Sequence, residues 1–362
     1  FSVLTRNVYL GGDTGPVFQA DFNDLTAILV ASATVWAGVQ STNFAERAVA
    51  LVDEIAEGRP HFIGLQEVAR FVILDGQGAP TGLLDFLDIL ETEIAARGLS
   101  YTVIAVQENT SVTLPVAFDP VAGVITELVN FTDRDVVLAR SDVSIEAVAN
   151  ANYATTFTLA PDVTLKRGWI RVSTKLRGVT YNFVNTHLES QTLAPIQAGQ
   201  LQELLSSVVS GLHGVTILVG DLNSDAEGEQ GDASWTPSYD ELIAHGFVDT
   251  WDESHSDSEP GFTCCNDPDL LNLAPSFDQR IDFVLVRGRG ATIERVIDGV
   301  DTEVLGDDLD DLTESGLWPS DHGGLLARFE LDNKRIKPSR RGKKSENSRR
   351  SRRGTRSGRG RR

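Results

Sequence analysis

The chain contains no methionine. Phe1 is therefore not a translation start, and removal of a secretory leader is expected, with a secreted or extracellular location. Cysteine is almost as scarce: the two cysteines, Cys264 and Cys265, are adjacent. Adjacent thiols lack the spacing of a zinc site. Two readings stay open for them, a vicinal disulfide formed in an oxidising compartment or a pair of free thiols. No run approaches the ~18 apolar residues needed to span a bilayer. Internal repeats and long linkers are also absent from the body of the chain.

Lysine is scarce too, and its distribution is uneven. Residues 1–333 hold only Lys166 and Lys175, and in total 17 Lys and Arg against 51 Asp and Glu, a net charge of −34. Residues 334–362 reverse this, with 15 Lys and Arg against the single acid Glu346, a net charge of +14. The body is acidic, which weighs against a basic nucleic-acid footprint on it. The tail has almost no apolar residues to offset its ordering entropy, so 334–362 is expected to be a disordered basic tail that contacts polyanions. Residues 1–333 are expected to form one catalytic body, working as a monomer.

With 41% apolar and 7% aromatic residues, the body can build a sizeable core. Its apolar signals are mostly short β-rich runs: His61–Leu65, Tyr101–Val106, Asp135–Leu138, Gly168–Leu176, Thr180–Val184, Val215–Val219 and Arg280–Val286. Helical periodicity is clearest from Phe44 to Glu57, where Ala48, Leu51, Val52 and Ile55 share a face before Gly58 and Pro60. Leu83–Ala96, ending at Gly98, and Pro195–Val209 read as two further helices. Many strands with a few interposed helices predict an α+β fold, a four-layer sandwich of two packed mixed sheets flanked by helices.

The apolar runs end in chemically similar residues. They lead into Asn7, Glu67, His187, Asp221 with Asn223, Asp282, and Asp321 with His322. One polar residue closing a strand is ordinarily a turn former. Six placements drawn only from Asn, Asp, Glu and His point to a shared rim. Carboxylates and carboxamides there are hard oxygen ligands suited to Mg²⁺ or Mn²⁺.

The order of these segments resembles the endonuclease/exonuclease/phosphatase superfamily, with its deoxyribonuclease I-like fold, from Leu4 to Phe329. Gln66-Glu67-Val68, Gly220-Asp221-Leu222-Asn223 and Ser320-Asp321-His322 carry the resemblance, completed by Asn185-Thr186-His187-Leu188 and Arg280-Ile281-Asp282-Phe283. It implies a divalent-metal-dependent phosphoester hydrolase, with a secreted phosphodiesterase or nuclease as the leading expectation. The alternative is a sphingomyelinase-like or inositol-phosphate enzyme acting on small or lipid-headgroup substrates. The resemblance places the metal at Glu67, with Asn7 and Asp321 nearby. It makes His322 the general base oriented by Asp282, and has Asp221 orient the water. Asn223 binds a phosphoryl oxygen, and His187 contacts the scissile phosphate or leaving oxygen. Arg167 becomes a phosphate contact and Glu108 a candidate to orient His187. Arg70 and Asp13 read as a loop charge and a turn residue. His61, His213, His245 and His255 match no motif.

Overall fold

Apolar residues alternate with period two along the central strands, and both phases are apolar. Such strands must be buried on both faces. Val3, Phe62 and Val137 share one core with Ile170, Phe183, Ile217 and Val284. Their chain neighbours Leu4, Ile63 and Leu138 enter a second core, and Val184, Leu218 and Leu285 a third. Two sheets packed face to face, each with its own outer helical layer, satisfy this pattern.

The computed structural model describes residues 1–256, 258–289 and 297–331. Its first strands are β1 (Ser2–Asn7), β2 (Phe62–Gln66), β3 (Arg70–Asp75), β4 (Pro80–Asp85), β5 (Tyr101–Asp119) and β6 (Val124–Arg140). There follow β7 (Ile145–Asn152), β8 (Phe157–Ala160), β9 (Val163–Leu165), β10 (Gly168–Leu176) and β11 (Val179–Thr186). The last are β12 (Gly214–Asp221), β13 (Val248–Asp249), β14 (Asp282–Arg289), β15 (Ile297–Leu305) and β16 (Gly324–Leu331). The helices are α1 (Gly15–Gln19), α2 (Leu25–Ser41), α3 (Phe44–Gly58), α4 (Phe86–Ala96), α5 (Ala194–Glu203), α6 (Ser238–Ala244) and α7 (Thr250–Ser254).

The first sheet runs β15-β16-β1-β2-β6-β3-β4, with β5 also paired to β6; the second runs β13-β14-β12-β11-β10-β7. Both are mixed. Each has a parallel pair at its centre, β1 with β2 and β11 with β12, and antiparallel partners around it. The cores of α3 and α4 cover the first sheet, and those of α5 and α6 the second. The expected four-layer sandwich is therefore present. Between the sheets the backbone approach is close at Gly64, where a Cβ would lie 2.6 Å from Asn185 Oδ1 and 2.7 Å from Val219 Cγ2.

Several local expectations need correction. The helix expected from Leu83 starts at Phe86, because Pro80–Asp85 pairs with β3 as a hairpin. Asp85 is the N-cap, accepting from the Leu87 and Asp88 amides at 2.9 and 3.4 Å. The helix from Ala194 passes at Leu204–Val208 into a π-helical turn. The expected strand at Tyr101–Val106 extends to Asp119, in a long bulged hairpin with β6. Helix α2 gave no amphipathic signal; it packs against β5 and buries Ala31, Ser32, Trp36 and Val39. No single helix among the described residues is long and apolar enough to cross a membrane. The basic segment 334–362 lies outside the described residues.

Candidate functional site

The two central parallel pairs end on the same rim. Asn7 and Gln66-Glu67 close β1 and β2, while Thr186-His187 and Asp221 close β11 and β12. Asp282 opens β14 opposite Asp221 in register, and Asp321-His322 precede β16. The six segments singled out by sequence thus converge.

Asn7 ties the two sheets together. Its Nδ2 donates to Glu67 Oε1 at 3.2 Å and to Asp221 Oδ2 at 3.1 Å, while its Oδ1 accepts the Tyr9 amide at 3.0 Å. Asn7 therefore offers the cluster a donor, and its carbonyl oxygen faces the turn. Glu67 sits at φ +59, held there by the Leu10 amide, which donates to Oε2 at 2.8 Å. Asn223 is likewise left-handed at φ +50, and its amide donates to Asp221 Oδ1 at 2.9 Å. Tyr9, two residues after Asn7, is a third non-glycine residue with positive φ beside the cluster.

Asp282, His322 and Asp221 form a line. His322 Nδ1 lies 2.8 Å from Asp282 Oδ2, which also accepts from Thr263 Oγ1 at 2.8 Å. His322 Nε2 lies 3.8 Å from Asp221 Oδ2. Burial opposes charge on this imidazole, but Asp282, Asp321 and Asp221 outweigh it and hold its pKa well above the usual histidine value. Burial, then repulsion from Asp282, pushes Asp221 up to about 7. The loop carrying His322 is anchored from below: buried Arg6 donates to the His322 carbonyl and to Glu54 Oε1, the latter at 2.7 Å.

His187 is the opposite case. Arg167 Nη1 lies 3.0 Å from its Nδ1, and arginine can only donate, so Nδ1 must be the acceptor. The charged guanidinium is the stronger donor and Asp221 Oδ2 can accept at 3.4 Å, so the ring proton sits on Nε2. Asn223 Nδ2, a neutral donor 3.0 Å from that nitrogen, gives its hydrogen bond to the Leu188 carbonyl at 3.1 Å instead. Burial, with Arg167 and His322 adding, lowers the His187 pKa well below the ordinary value, so the ring is neutral. Arg167 is itself positioned by Asp133 at 3.3 Å and Glu189 at 3.6 Å.

Glu108 is not the carboxylate that orients His187. Its side chain is 60% exposed and pairs with Arg70 at 3.6 Å, because the bulge between Glu108 and Ser111 turns it outward. Asp133 and Glu189, which the sequence reading missed, act on His187 through Arg167. The only sequence hint for them was their position two residues before the Asp135 run and two after His187. Buried Arg47 was also missed. It donates to the carbonyls of Thr42, Val8, Pro319 and Tyr9 at 2.8, 2.7, 2.9 and 3.1 Å, stitching together the loops that carry Asn7 and Asp321. Asp13 is an exposed turn former that accepts the Gly15 amide at 2.8 Å. His61 is no free surface residue: it is half-buried against Phe1 and accepts the Ser2 amide at 3.1 Å. Cys264 and Cys265 are paired as a vicinal disulfide, with Cys264 Sγ 3.8 Å from His322 Nε2.

The donor set fits a divalent cation. Glu67 and Asp321 remain partly accessible while Asp221 and Asp282 are fully buried. Burial raises the pKa of Glu67, with Asp133 adding to it; burial lifts Asp321 to about 6, and the Glu67 charge contributes. Like-charged oxygen donors held together in this way are stabilised by a hard cation. The ligand atoms of Asp221, Asp282 and His322 also lie within 4.8 Å of one another, but Asp282 Oδ2 is already engaged by two partners.

The fold and this rim define a metal-dependent phosphoester hydrolase. The model of the endonuclease/exonuclease/phosphatase family matches residues 35–322, and the chain belongs to that family. Among solved structures it is similar to a family protein from Leptotrichia buccalis C-1013-b, at 17% identity and TM-score 0.54, covering 91% of this chain and 99% of that one. It is also similar to D. rerio TDP2 complexed with a single-strand DNA product, at 16% identity and TM-score 0.53, covering 91% and 98%. A third is the Bacteroides thetaiotaomicron VPI-5482 mannosyl-6-phosphatase Bt3783, at 16% identity and TM-score 0.50, covering 91% and 99%. No curated protein matches the chain in sequence.

Proposed function

We propose that the protein is a Mg²⁺- or Mn²⁺-dependent phosphodiesterase in which a histidine-activated water attacks phosphorus. The observation that carries this reading is the Asp282–His322 contact of 2.8 Å aimed at Asp221 beside Asn223 and His187. Glu67 and Asp321 would hold the ion, which would supply positive charge to a phosphoryl or leaving oxygen. Asn7, expected as a ligand, instead donates to Glu67 and turns its oxygen to the Tyr9 amide.

The chain's own residues do the rest. Asp282 bonds Nδ1 and so directs the opposite nitrogen of His322 to the reacting water. His322 must be neutral there to accept a proton; Asp282 is the strongest influence favouring its cation, with Asp321 next, and a cation on Asp321 would weaken that second contribution. Asp221 orients the water from the other side. Asn223 Nδ2 and the Nε2–H of His187 donate to phosphoryl oxygens, and Arg167 fixes that tautomer. A secreted location is part of the proposal; a lasting Cys264–Cys265 bond would need an oxidising compartment.

The test is hydrolysis of bis-(p-nitrophenyl) phosphate, single-stranded DNA, RNA, sphingomyelin and inositol phosphates, each with Mg²⁺, Mn²⁺ or EDTA. Turnover that needs metal is expected on at least one diester. Absence of metal-dependent turnover on all of them refutes the reading.

A further inference from the structure

Beside the rim lies a cavity of about 190 Å³ whose chemistry differs from that of the site. Its inner end is formed by Glu67, Asp133, Arg167 and Glu189. These are site residues, since Glu67 bonds Asn7 and Arg167 bonds His187. Apart from Thr14, Ser32 and Thr110, the rest of the lining is apolar, including Phe18 from α1, Phe22, Trp36 from α2, Leu114 from β5, Phe131 from β6 and Leu165 from β9. Phe18 at the mouth is 42% exposed. Apolar surface kept open to solvent beside a polar reaction centre is the usual form of a small-molecule pocket.

Resting on the phosphodiesterase reading above, we infer that this cavity receives an apolar group carried by the phosphoester substrate, an aryl ring or an alkyl chain. A cavity of roughly 150 Å³ lined by such side chains takes a benzene ring, so this one suits a ring or about six carbons. Continuity fixes the direction. On that reading the phosphorus would lie by His187 and Asn223, and a substituent leaving it past Glu67 and Arg167, which also line the cavity, would meet the apolar walls. A sugar or a second phosphate there would lose hydration against Phe22, Trp36 and Phe131 with few polar partners in return.

The experiment is competitive inhibition of bis-(p-nitrophenyl) phosphate hydrolysis by methyl, butyl, hexyl and phenyl phosphate, with glucose 6-phosphate as the polar control. A fully buried methylene changes affinity about fourfold. Hexyl and phenyl phosphate should therefore inhibit at least ~10-fold more tightly than methyl phosphate, and glucose 6-phosphate no better than methyl phosphate. The half-buried Val112 lines the cavity on β5, paired with Phe131 on β6, and Val112→Trp should fill it. That variant should lose the hexyl advantage while methyl phosphate inhibits as before. Equal inhibition by methyl, hexyl and phenyl phosphate in the unmodified protein overturns the inference, whether or not the variant folds. Retention of the hexyl preference in a folded Val112→Trp protein overturns it as well. Failure to hydrolyse any diester with either metal would instead count against the phosphodiesterase reading. Calorimetric binding of the same alkyl phosphates would then still decide the cavity's role.

Discussion

Arg167 faces Nδ1 of His187 at 3.0 Å, and the neutral Asn223 amide faces Nε2 at the same distance. The charged donor, with Asp221 accepting on the Nε2 side, decides which nitrogen of the ring carries its proton. The buried acids Asp133 and Glu189 hold the guanidinium in place at 3.3 and 3.6 Å. Replacing Arg167 with Met should free the tautomer and lower kcat by about 10²-fold, the scale for losing one aligned donor. Nitrogen NMR of the imidazole should show mixed tautomers in the variant and one in the parent. A single unchanged tautomer in Arg167→Met refutes the assignment.

His322→Ala and Asp282→Asn should each reduce turnover by about 10²- to 10⁴-fold with melting behaviour largely kept. Because the two act as one unit, the double variant should be little worse than the poorer single one. Losses that multiply would mean that Asp282 acts independently of His322.

Arg47 makes four bonds to main-chain carbonyls and has no exposed surface. Arg47→Ala leaves those carbonyls buried and unpaired, and should cost about 3 kcal/mol or more in urea unfolding. A cost below about 1 kcal/mol would show that the loops hold themselves.

Burial, with Arg140 next, lowers the His61 pKa to about 4. A histidine depressed in the folded state binds its proton more readily when unfolded. Its contribution is therefore complete above its ordinary value of 6.5 and is lost as pH falls through about 4. Between those limits the parent should lose stability on acidification, and His61→Gln should lose less. Parallel stability curves for the two proteins would reject this.

Metal should also be visible without catalysis. An ion that binds only the folded chain stabilises it by about 2.7 kcal/mol at 100 times its Kd. Mg²⁺ should raise the melting temperature of the EDTA-treated protein, and Glu67→Gln should abolish most of the rise. A rise that survives Glu67→Gln places the ion elsewhere.

Much of the site was legible because strand periodicity and rim position are written locally. Val3, Phe62, Phe183 and Ile217 announce strands buried on both faces, and the polar residue after each run falls where the strands end. Relationships that depend on bulges or on packing between distant segments were not legible. Glu108 was misplaced because the bulge before Ser111 breaks the alternation that a strand reading assumes. Arg47 reads as an ordinary exposed helical cation until its four carbonyl partners, spread from Val8 to Pro319, are brought together. The apolar cavity was invisible because its walls come from α1, α2, β5, β6 and β9, none of which marks a pocket alone.

The second sheet is made wholly from residues 145–289, and the first from segments on either side of it. Asn7, Glu67, Asp321 and His322 therefore belong to one sheet's segments, and His187, Asp221 and Asp282 to the other's. The reaction centre works as a vernier between two stacked scales. A slip of one sheet along the other, small enough to spare every strand and helix, misaligns His322 with Asp221. Truncations deep in the shared core, such as Val3→Ala or Ile217→Ala, would then be read first as slower turnover and only later as unfolding.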